Sequence, residues 1–158
     1  MTARLELTKV DPNAYKAMMG LQNYVNGSGL EPSLLGLIEL RSSQINGCAF
    51  CLDMHSKDAR ARGETEQRIY ALDAWRETPF YSARERAALA WAEAVTQISE
   101  GHAPDSVYNE AREHFTEQEL MKLTMAVVAI NGWNRLCISF RVPPGSYQPG
   151  TRRPETSA

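Results

Sequence analysis

From Pro12 to Val142 apolar residues recur three and four positions apart, without the sustained alternation that marks a half-buried strand. The pattern predicts an all-α chain. A first helix starts after Asp11-Pro12, carries Tyr15, Met18, Met19, Leu21 and Val25, and stops at Asn26-Gly27-Ser28-Gly29. A second begins near Pro32-Ser33, buries Leu34, Leu35, Leu37, Ile38 and Leu40, and ends at Asn46-Gly47, a pair suited to a left-handed turn. A third opens at Cys48 or just after and runs to Arg62-Gly63, and a fourth runs from Glu64-Thr65 through Trp75.

Two Ser/Thr-x-x-Glu capping boxes mark later starts. Ser82 with Glu85 precedes Ala87, Leu89, Trp91, Val95 and Ile98, and Thr116 with Glu119 launches a long helix from Leu120 onward to Leu136. Between them, Gly101-His102-Ala103-Pro104 breaks the chain ahead of a short helix near 105–114. The last helix is apolar on several sides, which predicts a central position or a subunit contact. Beyond Val142 the run Pro143-Pro144-Gly145 through Pro154 cannot be helical. The chain therefore divides into a single helical domain over 1–142 and a Pro/Gly-rich arm or disordered tail over 143–158, with no internal repeat.

The chain has 158 residues, enough for one apolar core, and a net charge of −2. That charge gives no electrostatic reason to expect nucleic acid or an anionic membrane as partner. No apolar run approaches the roughly 20 residues of a membrane span, and the first twenty residues lack the apolar heart of a signal peptide. A cytoplasmic protein is the expectation. Its three cysteines do not form the even-numbered framework of a secreted disulfide scaffold. In a reducing compartment a Cys-x-x-Cys pair is more often redox-active or metal-binding than structural.

At about 100° per residue, Cys48, Cys51 and His55 fall within a stripe of roughly 60° on the third helix, with Asp53, Lys57 and Arg60 on the other side. Thiols react as thiolates, and the positive end of a helix lowers a thiol pKa. An imidazole one turn beyond Cys51 can accept its proton. A second thiol three residues away can attack a sulfenic acid on the first and close a disulfide. Two plainer readings stand beside this one: cysteines packing as small hydrophobes, and zinc held by Cys48, Cys51 and His55, for which Cys137, His102 and His114 offer no ligand spacing. Cys137 reads as packing in an apolar helix, His102 as a loop residue and His114 as a helix-end group. Trp75, Trp91 and Trp133 read as core or interface residues.

The run Glu39-Leu40-Arg41-Ser42-Ser43-Gln44-Ile45-Asn46-Gly47-Cys48-Ala49-Phe50-Cys51-Leu52-Asp53-Met54-His55 resembles the signature of the alkylhydroperoxidase D-like branch of the carboxymuconolactone decarboxylase superfamily. Further similarity lies in Ala71 to Trp75, Arg84 to Trp91 and Ile130 to Arg135. The resemblance implies a helical bundle, frequently a homotrimer or homohexamer. It also implies hydroperoxide reduction by a dithiol without metal, haem or flavin, so no cofactor is expected, with an external thiol or dithiol as reductant. Cys48, Cys51 and His55 match the family's relay directly, and an intramolecular Cys48–Cys51 disulfide is the expected oxidised product. The relay acid of alkylhydroperoxidase D falls twelve positions before the first cysteine, which here is Gly36. Glu39, on the same helix, is the substitute, and Glu93 a less supported one. Two other functions fit the sequence less well: a lactone decarboxylase, which has no evident need for paired thiols, and a non-enzymatic redox-sensing oligomer.

Overall fold

A computed structural model describes residues 2–150, all helical or irregular, with no strand among them. The helices are α1 (Leu7–Val10), α2 (Pro12–Asn26), α3 (Pro32–Asn46), α4 (Ala49–Ala61), α5 (Glu66–Tyr70), α6 (Ala83–Thr96), α7 (Ile98–Gly101), α8 (Asp105–His114) and α9 (Glu117–Ser139), with a 3-10 segment at Leu72–Glu77. Local chemistry accounts for several boundaries. The Asp11 carboxylate accepts from the Asn13 and Ala14 N–H groups at the head of α2, where Pro12 takes the first position. Both capping boxes form, at Ser82/Glu85 and Thr116/Glu119. Gly47, at φ 69°, supplies the left-handed residue that ends α3 and turns the chain into α4.

The fourth helix departs from the periodic pattern. In place of one helix from 64 to 75, α5 stops at Tyr70 and a 3-10 segment with a kink at Ala74 follows. The cause is non-local: the Arg86 guanidinium of α6 donates to the carbonyls of Trp75, Arg76 and Thr78, holding that stretch out of α-helical register while Leu72 and Trp75 are buried. The four-residue helices α1 and α7 are too short to show a period. The last helix runs three residues beyond Leu136.

The helix surrounded on all sides is α3, with every residue from Leu34 to Leu40 buried. Leu34, Leu35 and Ile38 join α6, α8 and α9 in one apolar cluster. Leu37 and Leu40 join Ala59, Leu72, Trp75, Tyr81 and Leu89 in a second. The long α9 buries one face and leaves Met121, Val128 and Ile138 exposed on the other. A polar layer ties the C-terminal half of α3 to α6 and α9. Asn46 donates to Asn131 (3.0 Å) and Asn134 (2.9 Å), Asn134 donates to Ser43 (3.0 Å), Asn131 to Thr96 (3.0 Å), and Thr96 to Ser42 (3.1 Å). These bonds satisfy side chains that would otherwise be costly to bury.

Past α9 the chain follows α4. The Gly145 N–H donates to Asp53 (3.0 Å), Lys57 donates to the Tyr147 carbonyl (3.1 Å), and the Tyr147 hydroxyl donates to Asp58 (2.7 Å). Gly145 and Tyr147 thus hold this segment of bends and turns against α4; 151–158, the remainder of the expected arm or tail, lie outside the described residues. Among the described residues, no helix is long and apolar enough to cross a membrane.

Candidate active site

The turn at Gly47 delivers Cys48 to the N-cap of α4, with extended dihedrals, and Cys51 to its first turn. Cys48 and Cys51 are joined as a disulfide with a Cα–Cα distance of 5.4 Å. The Cys51 N–H, a first-turn donor, donates to the Cys48 sulfur at 3.4 Å, so the positive end of the helix faces that atom. Both residues are 1% exposed. One turn further, His55 is buried too, its Nδ1 3.1 Å from a carboxylate oxygen of Glu39.

Glu39 reaches this position from the buried middle of α3. Its other oxygen is 3.5 Å from the Gln22 amide of α2, itself oriented by the Trp133 indole N–H (3.0 Å). Burial pushes the Glu39 carboxyl up, but the charge and hydrogen bond of His55, with Arg62 and Gln22 adding, outweigh it and hold the group below its ordinary range. Burial alone would lower His55. The charge and hydrogen bond of Glu39, helped by Asp58, prevail and raise the imidazole above its ordinary value. The pair is a buried carboxylate beside an imidazole that holds its proton tightly.

The other acid considered, Glu93, is placed elsewhere. It accepts from Arg41 (2.7 Å), Arg76 (2.5 Å) and the Trp75 indole (2.9 Å), a closed ionic cluster between α3, the 3-10 segment and α6. Arg41 is therefore occupied by Glu93 and Asp73, not by Glu39. Gly36 borders a cleft of about 380 Å³ lined also by Ser33, Arg62 and Glu85; a Cβ there would meet only the tip of Arg62, at 3.9 Å. His102 caps α7 in a left-handed conformation and His114 ends α8.

One neighbour is new. Cys137 of α9 is buried beside the disulfide, and the three sulfurs lie within 4.8 Å of one another, walled by Ile130, Phe50 and Val142. The sequence offers a trace of this in Asn131-x-x-Asn134-x-x-Cys137, a three-residue step that puts the polar clamp and the thiol on one face of α9. Three thiolates would suit a soft cation. With Cys48 and Cys51 joined, two of those donors are withdrawn.

An all-helical bundle presenting a Cys-x-x-Cys disulfide at a helix N-terminus, with a histidine one turn below, defines the class of molecule. The family model of the carboxymuconolactone decarboxylase family matches residues 12–94. The chain belongs to that family, in its alkylhydroperoxidase D-like branch. YdfG of Bacillus subtilis (strain 168), an uncharacterised protein, is 44% identical over 139 residues, which make up 88% of this chain and 95% of YdfG. A crystal structure of a protein of unknown function from Agrobacterium tumefaciens, suggested to be the antioxidant defence protein AhpD, is 47% identical. It superposes with a TM-score of 0.90 over 92% of this chain and all of that one. The debrominase Bmp8 shares the fold at 22% identity, with a TM-score of 0.77 over 85% of this chain and 73% of its own.

Proposed function

We propose that the protein is a thiol-dependent peroxidase that reduces small hydroperoxides through a Cys48/Cys51 dithiol–disulfide cycle. The observation that carries this reading is the buried Glu39–His55 pair, whose histidine shares α4 with the disulfide. Glu39 engages Nδ1 and leaves Nε2 as the nitrogen for proton exchange. The elevated affinity of His55 for a proton favours a thiolate beside an imidazolium over two neutral groups.

Cys51, one turn from His55, is then the attacking thiolate. Greater exposure gives no advantage to Cys48, because both thiols are equally buried. The Cys51 thiolate attacks the outer peroxide oxygen, the O–O bond breaks, and the departing alkoxide takes the proton held by His55. Cys51 is left as a sulfenic acid. Cys48 gives its proton to the now neutral His55, its thiolate displaces the hydroxyl, and that proton leaves with the hydroxyl as water as the disulfide closes. The Cys51 N–H that faces the Cys48 sulfur stabilises Cys48 as the thiolate that makes this attack. An external dithiol restores the pair by two exchanges.

The protein is also read as a homo-oligomer, trimeric or hexameric as the family resemblance implies, with the exposed Met121 and Val128 of α9 as apolar surface to cover. The test of activity is loss of cumene hydroperoxide in the presence of dithiothreitol. Wild type should consume it, His55→Ala should be slowed by about 10²-fold or more, and C48S/C51S should be inert. Undiminished consumption by the double variant would remove the proposal.

A further inference from the structure

We propose that Cys137 is a third redox thiol of this centre, able to resolve Cys51 in place of Cys48 and to pair with Cys48 where Cys51 is lost; the proposal rests on the peroxidase reading only for its physiological oxidant. The sulfur of Cys137 lies within 4.8 Å of both disulfide sulfurs. A disulfide needs about 2.05 Å, and one rotamer step about χ1 swings a cysteine sulfur by roughly 3 Å. The remaining gap is within side-chain reach. Cys48 is the most adaptable partner, because as N-cap it stands outside the helix, where no preceding turn restricts its rotamer.

The stretch of α9 that carries Cys137 is fixed by the contacts of its neighbours. Asn134, one turn earlier on the same face of α9, is held by Asn46 and Ser43, and Asn131 by Asn46. Those partners lie in the last turn of α3, immediately before Gly47 and Cys48. The same bonds that set the turn carrying Cys48 therefore set the height of Cys137 against it.

The chemistry balances without a further co-reactant beyond the hydroperoxide. When Cys51 is a sulfenic acid, the Cys137 thiol can displace the hydroxyl as water and form Cys51–Cys137, consuming the same two electrons as the Cys48 route. Once Cys48–Cys51 has formed, the Cys137 thiolate can attack one of its sulfurs. One S–S bond forms, one breaks, and the released thiolate takes up the proton that Cys137 lost, with no net oxidation. A centre with two resolving thiols tolerates loss of one.

The experiment is disulfide mapping of full-length C48S, C51S and C137S after oxidation, acid quench, alkylation and digestion. Each is treated in parallel with diamide, which couples thiols without peroxide chemistry, and with cumene hydroperoxide. The expected result with diamide is a Cys51–Cys137 link in most C48S molecules and a Cys48–Cys137 link in most C51S molecules, intramolecular by mass. C137S should form Cys48–Cys51 as wild type does. Alkylated Cys137 in both C48S and C51S, with their helical circular dichroism intact, overturns the proposal. Links formed with diamide in all three variants but none with cumene hydroperoxide, C137S included, keep the third thiol and remove the peroxidase reading. Peroxide consumption by C137S with no Cys137 link in either other variant does the reverse.

Discussion

A carboxylate and an imidazole buried side by side stabilise each other's charged forms, and the Glu39–His55 pair makes this measurable. His55 is raised above its ordinary 6.5, so its contribution to stability is complete below that value and is lost as pH rises through the folded value. Glu39 is lowered from 4.5, so its contribution is complete above that value and is lost as pH falls through the folded one. The pair therefore stabilises the fold most between pH 4.5 and 6.5. In Glu39→Gln only the smaller pull of Asp58 is left to oppose the desolvation of His55. The His55 imidazole followed by NMR should then titrate lower than in wild type, and the stability advantage of wild type over the variant should peak inside that window. An unchanged His55 titration would mean that the carboxylate does not govern the imidazole. What the sequence could show here was the single-helix part: Cys48, Cys51 and His55 share a stripe because their spacing is helical. The family resemblance pointed to Glu39 as the acid, but its approach, and that of Cys137, depends on how α3 and α9 pack on α4, which no spacing within one helix encodes.

At the scale of elements, the helices legible in the sequence are those closed by local chemistry: Asp11-Pro12, the two capping boxes, and Gly47. In the second box the Thr116 backbone N–H, assisted by Arg84, holds the Glu119 carboxyl down at about 2. The helical character of 64–77 was legible but its break after Tyr70 was not, because Arg86 reshapes the segment from another helix. Gly36 offers a test of the central helix. It sits inside α3 with room for a Cβ, the nearest contact being an ordinary 3.9 Å to Arg62. Gly36→Ala should therefore stabilise the protein by about 0.5–1 kcal/mol, seen as a rise in Tm of about 1–4 °C. A fall would show that the bare backbone at Gly36 is needed for packing. The arm gives a second test. Desolvation and the Asp58 carboxylate push the Tyr147 phenol up to about 12, so its hydroxyl remains a donor throughout the neutral range. Tyr147→Phe should leave α4 intact while speeding hydrogen exchange at the Gly145 amide, which that strap holds against Asp53.

For the whole molecule, the question is whether the disulfide holds the fold or works within it. It closes a loop of sequence separation 3, and so short a loop removes little unfolded-chain entropy, about 2 kcal/mol on the loop-closure account. The two large apolar clusters gathered on α3 contain neither Cys48 nor Cys51. The polar layer of Ser42, Ser43, Thr96, Asn131 and Asn134 locks α3 to α6 and α9 without using a sulfur. Reduction should therefore preserve the far-ultraviolet circular dichroism and lower Tm by less than about 10 °C, with C48S/C51S melting close to the reduced wild type. Loss of helical signal on reduction would make the bond a structural staple and a turnover cycle untenable, because each cycle would unfold the protein. Retention of the fold in both redox states is the property a dithiol catalyst needs, since the reductant must find the same surface that the oxidised protein presents.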